Sequence, residues 1–255
     1  LSPYSTIGNI TLQFEVYSYA ATQNIATIRQ QVDIMHYRNG AATMTEVDCS
    51  NLIPGDSCTS QFSGTNTGNY DDSYKLQVIG EPPEWLNISL SNMEVGLSPN
   101  QNQPFSTVTI TVREGAQAYM TGSVDFQFSF AESDNSLATF SINVSVDSTI
   151  DWVVESKNST VDVDNMTILY SVINLGNSYD GIVVSMTTSH YVEYGLIPPE
   201  NAEWEYDSNK IRSFTLRDIP NGENTTLRMW MHIPENQPED GVAWSEITIQ
   251  NLGDS

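Results

Sequence analysis

Apolar and polar residues alternate in short runs along most of this chain. Ile10-Thr-Leu-Gln-Phe-Glu-Val16, Ser106-Thr-Val-Thr-Ile-Thr-Val112 and Val124-Asp-Phe-Gln-Phe-Ser-Phe130 are three of them. A period of two puts every second side chain on one face, the mark of a strand with one side buried. The runs are separated by Gly, Pro, Asn and Asp, which set turns. No apolar period of 3.6 residues extends far enough to define a helix. The pattern predicts an all-β protein made of antiparallel β-sandwiches, about seven strands to each.

The pattern also repeats. Asn66-Thr-Gly-Asn69 returns as Asn174-Leu-Gly-Asn177, with a strand before and after each. Pro82-Pro-Glu-Trp85 is echoed by Pro198-Pro-Glu-Asn-Ala-Glu-Trp204, and a long alternating strand follows in both copies. At the front, Gly8 to Val16 resembles the Gly-led strand that starts at Gly122. Ala26 to Ile34 resembles the strand from Ala138 to Val146. Three segments are therefore expected. Residues 1–38 form the last strands of an incomplete sandwich and are candidate donor strands. Residues 39–147 form a whole sandwich. Residues 148–255 form a sandwich lacking its closing strand. Since the sequence opens on Leu-Ser-Pro rather than Met, it is expected to be a processed or excised portion of something longer.

Charge narrows the partners. Asp and Glu number 32 against 9 Lys and Arg, a formal net charge of −23. Phosphate backbones and anionic bilayers call for the opposite sign, so nucleic acid is discounted as a partner and anionic membrane surfaces are disfavoured. No apolar run is long enough for a transmembrane helix, and no signal peptide is visible. The two cysteines, Cys49 and Cys58, flank Pro54-Gly55, and the spacing predicts a disulfide-clamped hairpin in an oxidising compartment. Sequons for N-glycosylation stand at Asn9, Asn87, Asn143, Asn158, Asn165 and Asn224. They agree with an external location, although this Asn- and Thr-rich composition would produce several by chance.

Little here points to catalysis. His36, His190 and His232 belong to no metal or nucleophile motif. Among the carboxylates, Asp162 and Asp164 alternate before Asn165 and are the candidate ligands for Ca2+. They lack the spacing of a strong calcium loop, so solvated turns are the plainer reading. No other cofactor is called for, and no enzyme is expected. Trp230 lies opposite the face shared by Leu227, Met229, Met231 and Ile233, which suits a neighbouring domain or a sugar.

The run Asn66-Thr-Gly-Asn-Tyr-Asp-Asp-Ser-Tyr74, then Pro83-Glu-Trp85, then Val108-Thr-Ile-Thr-Val112 resembles the Ig-like domains called NEW3, or alpha-galactosidase-associated, and the related CARDB-type modules. The likeness covers residues 45–147 well and 150–250 more loosely. It implies tandem domains in secreted or surface proteins of archaea and bacteria. It also implies a structural role in turn and core for Asn66, Gly68, Asn69 and Trp85, and for Asn174, Gly176, Asn177 and Trp204. The expected function is a non-enzymatic structural or adhesive segment of a cell-surface filament, stalk or layer, assembled from copies of itself or neighbouring Ig-like domains, with head-to-tail strand donation as one route. The alternative is a carbohydrate-binding or spacer module of a secreted hydrolase, with glycans as partners.

Overall fold

A computed structural model describes residues 8–17, 19, 24–157, 160–161, 166–188, 193–204, 212–232, 234–235 and 244–252. The described residues are all-β, with no α-helix. The chain divides into two compact units. One holds residues 1–114 and 120–146, the other 115–119 and 147–255.

Unit 1 begins with a hairpin that forms a sheet of its own, β1 (Gly8–Tyr17) and β2 (Asn24–Ile34). Then come β3 (Gly40–Met44), β4 (Cys49–Leu52), β5 (Ser57–Asn66), β6 (Asp72–Ile79), β7 (Leu86–Leu90), β8 (Glu94–Leu97), β9 (Asn102–Val112), β10 (Thr121–Phe130) and β11 (Ser136–Val146). They build two sheets, in the orders β3-β5-β9-β7 and β4-β11-β10-β6-β8. The pairs are antiparallel except for β4, which runs parallel to β11. Alternation in the sequence becomes alternation in burial. Every second residue of β5, from Cys58 to Asn66, is buried. Inward side chains of the two sheets meet, with Phe62 of β5 within 5.5 Å of Phe126 and 5.3 Å of Phe140 between ring centres. Each such ring contributes roughly 1.5–3 kcal/mol by leaving water.

Unit 2 contains β12 (Trp152–Ser156), β13 (Thr160–Val161), β14 (Met166–Asn174), β15 (Asp180–Thr188), β16 (Glu193–Ile197), β17 (Glu203–Trp204), β18 (Ser213–Ile219), β19 (Asn224–His232) and β20 (Ser245–Asn251). Its sheets run β12-β14-β19-β16, with the short β13 also on β14, and β17-β18-β15-β20. The core gathers Val172, Ile182, Val184, Phe214, Leu216, Leu227 and Met229.

The two units share a strand plan. β3, β5, β9 and β7 correspond to β12, β14, β19 and β16, and β8, β6 and β10 to β18, β15 and β20. The pairings Gly40↔Asn66 and Trp152↔Asn174 fix the alignment. Side-chain sizes trade across it. Gly40 leaves space for the Tyr74 ring, which lies 2.4 Å from where a Cβ on Gly40 would sit. In unit 2 the large residue is Trp152, and it packs on the cluster holding Ile182, the counterpart of Tyr74. Core volume is thus kept while its source moves to the facing strand.

The Cys49–Cys58 bond is present, with a Cα separation of 5.6 Å. It does not clamp a hairpin. β4 belongs to one sheet and β5 to the other, so the bond ties the two sheets together. Pro54 and Gly55 do turn the chain, and Gly55 has φ of 90°. The turn carries the strand across the core rather than back along its own edge, because β4 pairs with β11.

Candidate functional site

Among the described residues the most organised polar arrangement occurs twice, around the two Asn-x-Gly-Asn turns. The first Asn of each shapes the turn. Asn66 Nδ2 donates to the carbonyls of Tyr70 and Leu97, each at 2.8 Å, and its Oδ1 accepts from Gly68 N at 2.8 Å. Asn174 repeats this with Ser178 O, Ile219 O and Gly176 N at 2.8–2.9 Å. Both side chains are buried with three hydrogen bonds apiece, so their burial carries no penalty for unpaired groups.

The second Asn reaches a different part of the chain. Asn69 Oδ1 accepts from Tyr37 N at 2.8 Å, and its Nδ2 donates to Met35 O at 2.9 Å. Asn177 does the same with Thr149 N at 2.7 Å and Asp147 O at 2.9 Å. Residues 35–39 and 147–151 are the segments by which the chain enters β3 and β12. The glycine between the two asparagines allows this close approach. A Cβ on Gly68 would lie 2.5 Å from Tyr37 O, and one on Gly176 would lie 2.3 Å from Thr149 O. Each motif is therefore a clamp that fastens the entry strand of its unit through two backbone groups.

Beside the first clamp is an open cleft of about 470 Å3, lined by Arg38, Tyr70, Asp71, Asp72, Ser73 and Glu132 among others. Arg38 bridges both oxygens of Asp72 at 2.8 Å and covers the Phe130 ring at 4.4 Å. The hydrogen bond to Asp72 raises the Arg38 pKa further. Tyr74 donates its hydroxyl to Asn39 O at 2.8 Å, and burial pushes its pKa up. Arg38 is already matched by the Asp72 carboxylate, so it leaves the cleft no spare positive charge to offer a ligand.

In unit 2 a smaller hollow of about 310 Å3 is lined by Gln117, Tyr119, Asn177, Tyr179 and Asn221, among others. Tyr119 and Tyr179 are exposed, and Tyr119 holds a positive φ of 65° that non-glycine residues rarely adopt.

The other expected site residues are scattered. Asn9, Asn87, Asn143 and Asn224 are exposed, and the Asn87 side chain accepts from Arg113 Nε at 2.8 Å. Asn158, Asn165, Asp162, Asp164 and His190 lie outside the described residues. Among the described residues no group of three or more His, Cys, Asp or Glu could hold a metal ion. Trp85 and Pro83 pack over Gly122. Trp230 lies on the outer face across from Gly195 and covers it, its Nε1 2.6 Å from where a Cβ would be. It thus serves its own sheet. The side chain of Trp204 lies outside the described set, but its backbone pairs with Phe214. No described helix is long and apolar enough to cross a membrane.

No known family matches the chain, and neither does any curated protein sequence. Among solved structures the chain is similar to a crystal structure of a protein of unknown function from Porphyromonas gingivalis. Identity is 14%, the match covers 75% of this chain and 83% of that one, and the TM-score is 0.29. A likeness at that level carries no argument about fold or role.

Proposed function

We propose that this chain is a non-enzymatic extracellular structural segment, a tandem run of Ig-like β-sandwich domains belonging to a cell-surface filament, stalk or layer. The observation that carries the reading is the duplicated clamp. Asn69 and Asn177 fasten the entry segment of each unit through the same atoms. A chain that fixes two successive entrances in the same way is suited to a regular array. The disulfide supports an oxidising compartment, and the net charge of −23 suits a salty exterior. The likeness to NEW3 and CARDB-type domains belongs to the same proposal. Immunogold labelling of intact source cells with antibodies to this chain tests it. Label on filaments or in a surface lattice supports it, and label confined to the cell interior overturns it.

A second reading has one observation in its favour. Two exposed tyrosines beside Gln117, Asn177 and Asn221 form a hollow with the mixed aromatic and amide chemistry that suits a sugar ring. On this reading the chain is a carbohydrate-binding module of a secreted hydrolase. Binding to a glycan array that Tyr179→Ala abolishes would favour it over the first.

A further inference from the structure

The hairpin β1–β2 copies β10–β11. A constant step of 112 residues relates the two. Phe14↔Ile28 becomes Phe126↔Phe140, and Leu12↔Gln30 becomes Val124↔Ile142. The irregularity between Val16 and Tyr17 recurs between Phe128 and Ser129. This alignment places Gly8 at the position of Met120, two residues away from the match that the glycines alone suggest. The entry segments agree with it, since Met35 and Tyr37 are held by Asn69 as Asp147 and Thr149 are held by Asn177.

The two hairpins differ in what covers them. Phe126 is 0% exposed beneath the sheet β3-β5-β9-β7, whereas Phe14 is 56% exposed. Leu12, Val16 and Ile28 are exposed on the same face. An apolar face of this kind on a two-stranded ribbon is marginal by itself and calls for a partner.

Unit 2 of a second copy does not fit that face. Among the described residues β20, the counterpart of β10, is the edge strand of its sheet, so the neighbour it would take there is a counterpart of β11. β2 is built like β11, but the edge that β11 offers to β10 is taken in β2 by β1. If β2 kept β1 and offered its other edge, the strand would turn over. Thr27, Arg29, Gln31 and Asp33 would then face the core. An intact hairpin therefore cannot close unit 2.

We propose that β1–β2 is the closing hairpin of a further two-sheet domain. Its partner is a segment equivalent to β3–β9, joined to the amino-terminal side of β1 in the same polypeptide. In unit 1 the covering strands precede β10 directly, and the step of 112 residues puts β1 in the place of β10. Gln30 is the polar exception on the face, so the partner offers it a hydrogen bond. The proposal relies on the tandem reading for the kind of partner and is independent of cellular location.

The test extends the 255-residue chain by a second copy of residues 39–119 fused directly ahead of Gly8. Hydrogen exchange in β1 and β2 is expected to slow by roughly 100-fold or more relative to the unextended chain. Phe14→Asp in the extended chain is expected to abolish that protection. The same substitution in the unextended chain should leave hairpin exchange and sedimentation unchanged. Equal exchange in both chains overturns the proposal. So does an unextended chain that sediments as a dimer and is dissociated by Phe14→Asp, which would name a second copy as the occupant. Neither result bears on surface labelling, so this proposal and the proposed function fail separately.

Discussion

Asn69 and Asn177 each grip one stretch of backbone twice, because a single amide offers it both a donor and an acceptor. Asn177→Ala leaves Thr149 N and Asp147 O without that partner. A loss of about 2–3 kcal/mol is expected in denaturant unfolding followed at unit 2. Asn177→Asp keeps the acceptor but places a carboxylate oxygen against Asp147 O, so it should cost nearly as much. A pH effect belongs to the same scale. The Lys75 ammonium, 2.8 Å away, holds the Asp134 carboxyl below the ordinary aspartate range. A depressed folded-state pKa gives stability that is present above the unfolded pKa and is lost as pH falls through the folded one. Asp134→Asn should therefore be slightly less stable than the parent at neutral pH, with the gap closing as the pH falls through and below the ordinary aspartate range. The Asp134 carboxylate is exposed, so the effect is small, and thermal melts across that window measure it.

Among the elements, β4 departs furthest from a local reading. Ten residues with a cysteine at each end and Pro-Gly between them look like a hairpin. The core decides otherwise, because β4 finds an open edge on β11, nearly a hundred residues away, and joins it in parallel. Sequence alternation reveals which face of a strand is buried but not which edge it meets. For that reason β5, β9 and β10 could be read directly, whereas the β4–β11 pairing could not. The clamps were legible in the same partial way. Recurrence singled out Asn66, Gly68 and Asn69 and their partners in the second copy. Yet the entry residues held by Asn69 lie 32 and 34 positions upstream and carry no motif. The disulfide gives the element scale its own prediction. Reduction, or Cys49→Ala with Cys58→Ala, should lower the stability of unit 1 by about 2.5–3 kcal/mol and leave unit 2 unchanged. Calorimetry with and without reductant checks both halves of that statement.

For the whole molecule the dominant quantity is charge. With a net −23, like charges oppose the compact state over distances set by ionic strength. Raising salt from about 0.01 M to 0.15 M shortens the screening length from roughly 30 Å to 8 Å. The midpoint of thermal unfolding should therefore rise with added sodium chloride, and a fall would show that attractive ion pairs outweigh the repulsion. Pairs such as Arg38–Asp72 are few beside 32 carboxylates, so the rise is the expected sign.

The position of the second clamp also sets an order of events during synthesis. Asp147 follows directly after Val146, the last residue of β11, while Asn177 is made 28 residues after the Thr149 it will hold. A chain emerging amino end first can thus complete unit 1, closing strand included, before anything exists to fasten the entrance of unit 2. Unit 1 is left free to finish folding, and unit 2 anchors its own entrance afterwards.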